Sequence, residues 1–173
     1  MDLKKLVRDV PDFPIKGIVF KDITTLVKDA KGFEYTLNKF YNISKNKEIT
    51  KVVGIESRGF IFGGALAVKL GVGFVPIRKP GKLPADTIKQ TYELEYGTDS
   101  IEIHKDALEP GDKVLIHDDL LATGGTMEAA CKLAEKLGAE VEQISFVIEL
   151  DFLNGRNKLK KYDVQSLIHY DSE

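Results

Sequence analysis

The chain has 173 residues, 43% of them hydrophobic and 30% charged, and its 25 Lys plus Arg against 27 Asp plus Glu give a net charge of −2. These proportions exclude a disordered chain, a collagen and a mucin stalk, and a slight acidic excess without a long basic block argues against nucleic-acid binding. Cys131 is the only cysteine, so neither an intrachain disulfide nor a zinc cluster is available and the expected compartment is the cytoplasm. The stretch Met1 to Asp9 is too charged for a signal peptide. The longest apolar run, Phe60 to Val68, is far short of a bilayer span, and no membrane contact is expected. A single domain over residues 1–173 is the expectation, large enough to bury roughly 70% of the surface of its unfolded chain.

Phe33, Leu37, Phe40 and Tyr41 recur at helical spacing and predict an amphipathic helix from about 31 to 46. A strand is expected at Lys51 to Ile55. Gly59 to Leu70 is apolar on all sides, which predicts a buried helix ended by Gly71 in a left-handed cap. Phe74 to Arg78 reads as a core strand. Lys79 to Gln90 holds two prolines, a glycine and three lysines in twelve residues, which is loop chemistry. Thr91 to Tyr96 and Ser100 to His104 predict a hairpin around Gly97, and Pro110-Gly111-Asp112 marks a turn. Val114-Leu115-Ile116 predicts a buried strand ending at Asp118-Asp119, followed by a helix from about Thr126 to Leu137 closed by Gly138. A strand at Val141 to Leu150, a short helix near Arg156 to Lys161 and a last strand near Val164 to Ile168 complete the chain. Such alternation predicts right-handed crossovers and a mostly parallel sheet, an α/β fold.

The segment Val114 to Thr126 runs strand, acidic pair, small-residue loop, helix. In a parallel sheet that junction lies at the carboxyl edge, where ligands bind. Thr123, Gly124, Gly125 and Thr126 are small or hydroxylic, so their backbone N–H groups can converge on a phosphate at the helix N-terminus. Asp118 and Asp119 would repel that phosphate unless they face something else, and vicinal sugar hydroxyls or a magnesium ion are the partners that fit. Together these features point to a ribose 5-phosphate. A Walker A loop would need a lysine before Thr126, and Gly59 to Gly64 does not supply a dinucleotide fingerprint.

This segment resembles the phosphoribosyl-pyrophosphate (PRPP) motif of the type I phosphoribosyltransferase family, and the wording is closest to its adenine-specific members. The likeness extends to Phe13-Pro14-Ile15-Lys16-Gly17-Ile18-Val19-Phe20-Lys21-Asp22-Ile23, to Glu56-Ser57-Arg58-Gly59-Phe60, and to Arg78 through Pro84 continuing to Tyr92 through Gly97. His117 departs from the pattern, standing where the family usually has an apolar strand residue, and Ala85-Asp86-Thr87 is a local variant. The resemblance implies the type I phosphoribosyltransferase fold, a mostly parallel twisted sheet flanked by helices with a flexible lid hairpin and an N-terminal hood that binds the base. It further implies that adenine and PRPP are converted to AMP and pyrophosphate with Mg²⁺, held mainly through the pyrophosphate and water, in a homodimer. A PRPP-sensing regulator without turnover, or a transferase for another purine base, is the alternative.

By the same resemblance, Asp118, Asp119, Ala122, Thr123, Gly124, Gly125 and Thr126 bind PRPP, joined by Ser57, Arg58, Arg78, Lys79 and Lys82 on the pyrophosphate. Arg58, Lys82 and Glu95 are the catalytic candidates; Val19, Phe20, Lys21 and Leu150 bind the base, and Arg78 is implied to act from a neighbouring subunit. A cis peptide recurs in the family's turn, here Glu56-Ser57. From the residues alone, three cations in a loop are usually solvated, Glu95 is an exposed position on an alternating strand, and a Phe between Val and Lys is more often core. Cys131 reads as core packing, and His104, His117 and His169 show no metal-ligand spacing.

Overall fold

The computed structural model describes residues 1–94 and 97–172. After a 3-10 turn at Leu3–Leu6, strands β1 (Arg8–Pro11) and β2 (Val19–Asp22) form an antiparallel ribbon. Helices α1 (Thr24–Lys28) and α2 (Ala30–Ser44) follow, and Asp29 between them caps α2 by accepting from the Gly32 amide. Then come β3 (Lys51–Ile55), α3 (Gly59–Leu70) and β4 (Gly73–Ile77). The hairpin of β5 (Thr87–Glu93) and β6 (Thr98–His104) precedes β7 (Lys113–Leu121), α4 (Gly125–Lys136) and β8 (Glu140–Leu150). Two 3-10 turns, Asp151–Leu153 and Gly155–Leu159, lead into β9 (Val164–Tyr170).

Five strands form the central sheet in the order β4-β3-β7-β8-β9, all parallel, so the turns after them gather at one edge. The α/β fold and parallel sheet expected from the sequence are therefore present. Alternate side chains on the strands feed two cores, as a parallel sheet covered on both faces requires. Val53, Ile55, Val114, Ile116, Ile144 and Phe146 belong to a core shared with α4 and the hairpin. Val52, Leu115, Val147 and Ile148 belong to a second, shared with α2 and α3.

Two boundaries and one burial pattern differ from expectation. β5 starts at Thr87, inside the stretch read as loop, because Ile88 and Tyr92 turn inward onto the core while Lys89, Thr91 and Glu93 face out. Its polar outward residues hide a period-2 pattern. β7 does not stop at Asp118-Asp119 but runs to Leu121, because Leu120 pairs opposite Ile148 and Leu121 is buried. The acidic pair thus sits inside a strand. Helix α3 has the expected ends, with Gly71 at φ 74 as its left-handed cap, but it is not buried all round: Val68 is 83% exposed. The ribbon β1–β2 and helix α1 carry no periodic signal long enough to be read beforehand.

Cys131 packs in the core as expected, and burial pushes its thiol up to about 12. Among the described residues, no helix is long and apolar enough to cross a membrane. His117 points into the second core, edge-on to Phe40 and Phe62, with Nδ1 2.8 Å from Ser145 Oγ and Nε2 without a partner among the described residues. Burial lowers its pKa from 6.5 to about 3. The folded state thus favours the neutral ring, and the resulting stability is complete above 6.5 and lost as pH falls from 6.5 towards 3. We expect His117→Val to make urea stability less acid-sensitive, with a difference of about 2–3 kcal/mol in the loss between pH 7 and about pH 4.5. Parallel pH profiles for the two proteins would show that His117 does not control the acid limb.

Candidate active site

The turns after β3, β4 and β7 meet over the carboxyl edge and enclose a cleft of about 420 Å³. Ile55, Ile77 and Ile101 supply its apolar floor; Glu56, Ser57, Arg58, Arg78, Lys79, Asp118, Asp119 and Thr126 supply its polar wall. Asp118 and Thr126 also border a smaller hollow of about 80 Å³, lined by Ala122, Thr123, Gly124 and Gly125. The PRPP-binding residues expected from the sequence, Lys82 excepted, are thus distributed over two adjoining spaces.

The hollow lies where α4 begins. Gly124 has φ 83, a left-handed conformation that a side chain would strain, and no side chain caps the helix. The amides of its first turn are therefore free to face an anion. Close by, the Glu56–Ser57 peptide is cis, and the turn after β3 carries Arg58 into α3.

Each cation in the cleft wall has a carboxylate partner. Arg58 donates through Nε to Asp119, which is 5% exposed. Arg78 donates to Glu56 Oε1 from Nη2 at 2.7 Å and from Nε at 3.2 Å, and the Lys79 amide donates to Oε2 at 2.9 Å. Lys82 sits behind this pair, its carbonyl accepting from Arg78 Nη1 at 3.1 Å. The Arg78 guanidinium, with the Lys79 amide, holds Glu56 below the usual carboxylate range. Lys79 also pairs with Asp99, and Tyr92 donates to the same carboxylate at 3.2 Å while its oxygen accepts from Thr126 Oγ1 at 3.2 Å. Asp118 differs: dehydration, then the neighbouring Asp119 charge, raise its pKa well above the ordinary value against the opposing pull of the Asp119 amide and Arg58.

The N-terminal ribbon reaches the same place. The Phe20 ring lies 5.0 Å from the Arg58 guanidinium carbon, with Phe13 edge-on at 5.2 Å. Val19 is half-buried beside it. Lys21 is buried, its ammonium 2.9 Å from Asp9 and over the Tyr170 ring at 4.4 Å, so its side chain anchors the ribbon and only its main chain is left for a ligand. Leu150 ends β8, opposite that same Tyr170. Glu95 lies outside the described residues.

Sequence reasoning assigned no role to Glu56, Tyr92 or Asp99. Glu56 and Tyr92 stood in quoted segments without a role, whereas Asp99 looked like an ordinary hairpin position whose meaning comes only from tertiary contact. It also treated His169 as isolated, yet His169, Asp151 and Glu149 have ligand atoms within 4.8 Å of one another. Arg156 already occupies both Glu149 oxygens, at 2.9 and 2.5 Å, which makes the cluster an ion-pair network.

Comparison with known proteins fits this geometry. The phosphoribosyl transferase domain family matches residues 21–171. The chain is 58% identical over 169 residues to an adenine phosphoribosyltransferase of Koribacter versatilis, covering 98% of this chain and 93% of the relative. It is similar to the crystal structure of the adenine phosphoribosyltransferase from Thermoanaerobacter pseudethanolicus, with TM-score 0.95, 55% identity and 98% of each chain covered. It also resembles the enzyme of that kind from Giardia lamblia, solved with 9-deazaadenine, with TM-score 0.93, 43% identity, and 99% and 97% of the two chains covered.

Asp119→Asn removes the second cause of the Asp118 shift. Carboxyl-carbon NMR should then show Asp118 titrating at lower pH than in the parent protein; an unchanged or higher value would mean that the pair is not electrostatically linked.

Proposed function

The chain belongs to the phosphoribosyl transferase family, and we propose on that premise that it transfers ribose 5-phosphate from PRPP to adenine, giving AMP and pyrophosphate. The observation that carries this reading is the conjunction of three features: a cleft walled by Arg58, Arg78 and Lys79 with their paired carboxylates, an uncapped helix N-terminus beside it, and an aromatic ring 5.0 Å from Arg58. One space suits a pyrophosphate, one a sugar phosphate, one a flat base.

In this arrangement the amides of Ala122 to Thr126 take the 5-phosphate, while Asp118 and Asp119 accept hydrogen bonds from the ribose hydroxyls. Ser57, Arg58, Arg78, Lys79 and Lys82 face the pyrophosphate. Breaking the bond at C1 leaves positive charge on the sugar ring and negative charge on the departing pyrophosphate. On this reading the acidic pair serves the sugar side of that bond and Arg58, Arg78 and Lys79 serve the departing pyrophosphate. Phe20 stacks on the base, Leu150 closes its other face, and main-chain groups of Val19 to Lys21 read the exocyclic amine, which donates where other purines carry a carbonyl. Glu95 takes the imidazole-ring proton as the new bond forms.

Magnesium fits the donor set indirectly. Glu56 and Asp119 already hold guanidinium groups and Asp118 is dehydrated, so the ion would be held by pyrophosphate oxygens and water, where it neutralises leaving-group charge. Val68 on α3 and Phe74 on β4 are exposed apolar side chains, in keeping with a homodimer. The lone, buried Cys131 suits the cytoplasm. Two cores packed on the two faces of one sheet support reading residues 1–173 as one domain.

The reading is tested by pyrophosphate release from PRPP and Mg²⁺ with adenine, hypoxanthine, guanine or uracil, and with no base. Release with adenine alone is expected; release with none of them, despite PRPP binding, would make the chain a sensor. Glu95→Ala should lower kcat by about 10²-fold or more with little change in PRPP affinity, and a near-parental kcat would remove Glu95 from the chemistry. Phe20→Ala should raise the adenine KM more than the PRPP KM, whereas equal rises would point to folding.

A further inference from the structure

The turn that follows β8 is seated against the loop ahead of α4, backbone on backbone. A Cβ added at Gly155 would lie 2.2 Å from the Ala122 carbonyl oxygen and 3.0 Å from the Gly124 nitrogen; one added at Gly124 would lie 2.5 Å from the Gly155 carbonyl oxygen. Neither position accepts a side chain unless the opposing backbone moves. Residues 122–126, made of small side chains and leading into a helix without a side-chain cap, have little means of holding their own shape. The surface that shapes them comes from about thirty residues further along the chain.

That surface is itself pinned. Asn154 is left-handed at φ 55 and turns the chain into Gly155. Arg156 then grips Glu149 with both arms of its fork and donates through Nη1 to the Val164 carbonyl at 2.9 Å, while Ser166 Oγ donates to Glu149 Oε2 at 2.6 Å. Glu149 is 3% exposed. Despite dehydration pulling the other way, its partners Arg156 and Ser166 hold its pKa below the usual range. A planar fork closed on a buried carboxylate fixes the direction of the turn as well as its position.

We propose that Gly155 and Arg156, with Glu149 as their anchor, are positioning residues that hold the phosphate-binding loop in its anion-accepting shape. The inference rests on the reading that residues 122–126 take the 5-phosphate of PRPP, and it adds the part of the protein that sets their geometry. None of the three residues lines either the cleft or the hollow. Acting through residues 122–126, they should affect the 5-phosphate end of the substrate and leave the pyrophosphate end unchanged, which separates a positioning role from general support of the fold.

The test compares Gly155→Ala, Arg156→Gln and Arg156→Lys with the parent enzyme by calorimetry, using ribose 5-phosphate and inorganic pyrophosphate as separate probes, alongside KM and kcat. Gly155→Ala is expected to weaken ribose 5-phosphate and raise the PRPP KM by about tenfold or more, with pyrophosphate affinity and adenine KM within about twofold. Arg156→Gln should show the same pattern, and Arg156→Lys, which keeps charge but loses the fork, should recover part of the loss. Should Gly155→Ala fail to fold, the two Arg156 variants carry the test. Equal weakening of both probes, or no weakening of ribose 5-phosphate, would overturn the inference while leaving the site intact. A parent enzyme that binds no ribose 5-phosphate would overturn the reading of the loop, and the inference with it.

Discussion

A site for a polyanion must keep several positive charges close together before the anion arrives. Two like charges about 4 Å apart near a protein surface repel by about 4 kcal/mol at an effective dielectric of 20, a large share of the stability of a small domain. This chain meets the constraint by giving Arg58, Arg78 and Lys79 a carboxylate each, in Asp119, Glu56 and Asp99. The guanidinium groups are thereby oriented as well as neutralised. Ligand binding then becomes an exchange of one set of anions for another, with side chains already near their working places.

The parallel sheet makes this interleaving possible. Glu56 and Arg58 follow β3, Arg78 and Lys79 follow β4, and the two aspartates stand near the end of β7, three neighbouring strands whose carboxyl ends share an edge. Because the sheet is covered on both faces, its edge is the exposed rim of a rigid body. Polar groups set there are held by two cores, one of which surfaces at the site only as the apolar floor of Ile55, Ile77 and Ile101.

Long apolar runs were legible in the sequence for that reason. Strand β3, helix α3 and the strand-loop-helix passage from β7 to α4 follow from residues whose environment is set locally, and the small-residue loop announces its chemistry through what it omits. Harder to see were elements whose meaning is tertiary. The first half of β5, Thr87 to Gln90, looks like a loop beside Pro80 and Pro84, because Lys89 faces out and the alternation is too short to show before Thr91. Glu56 and Asp99 are ordinary acids until Arg78 and Lys79 are placed against them. The continuation of β7 beyond the acidic pair was hidden because two adjacent charges look like the end of a buried strand. In fact Arg58 and the dehydrated setting of Asp118 accommodate them.

Ile101 belongs to two environments at once: it lies in the core beneath the hairpin and it forms part of the floor of the cleft. Local opening of β6 therefore removes a wall from the site, and an occupied site holds β6 down. Occupancy and opening are linked as competing equilibria, with the hairpin gaining RT ln(1 + [L]/Kd) from any ligand that needs the intact floor. The hairpin's amide protons thus report on cleft occupancy, so hydrogen exchange along β6 becomes a ligand gauge that requires no turnover.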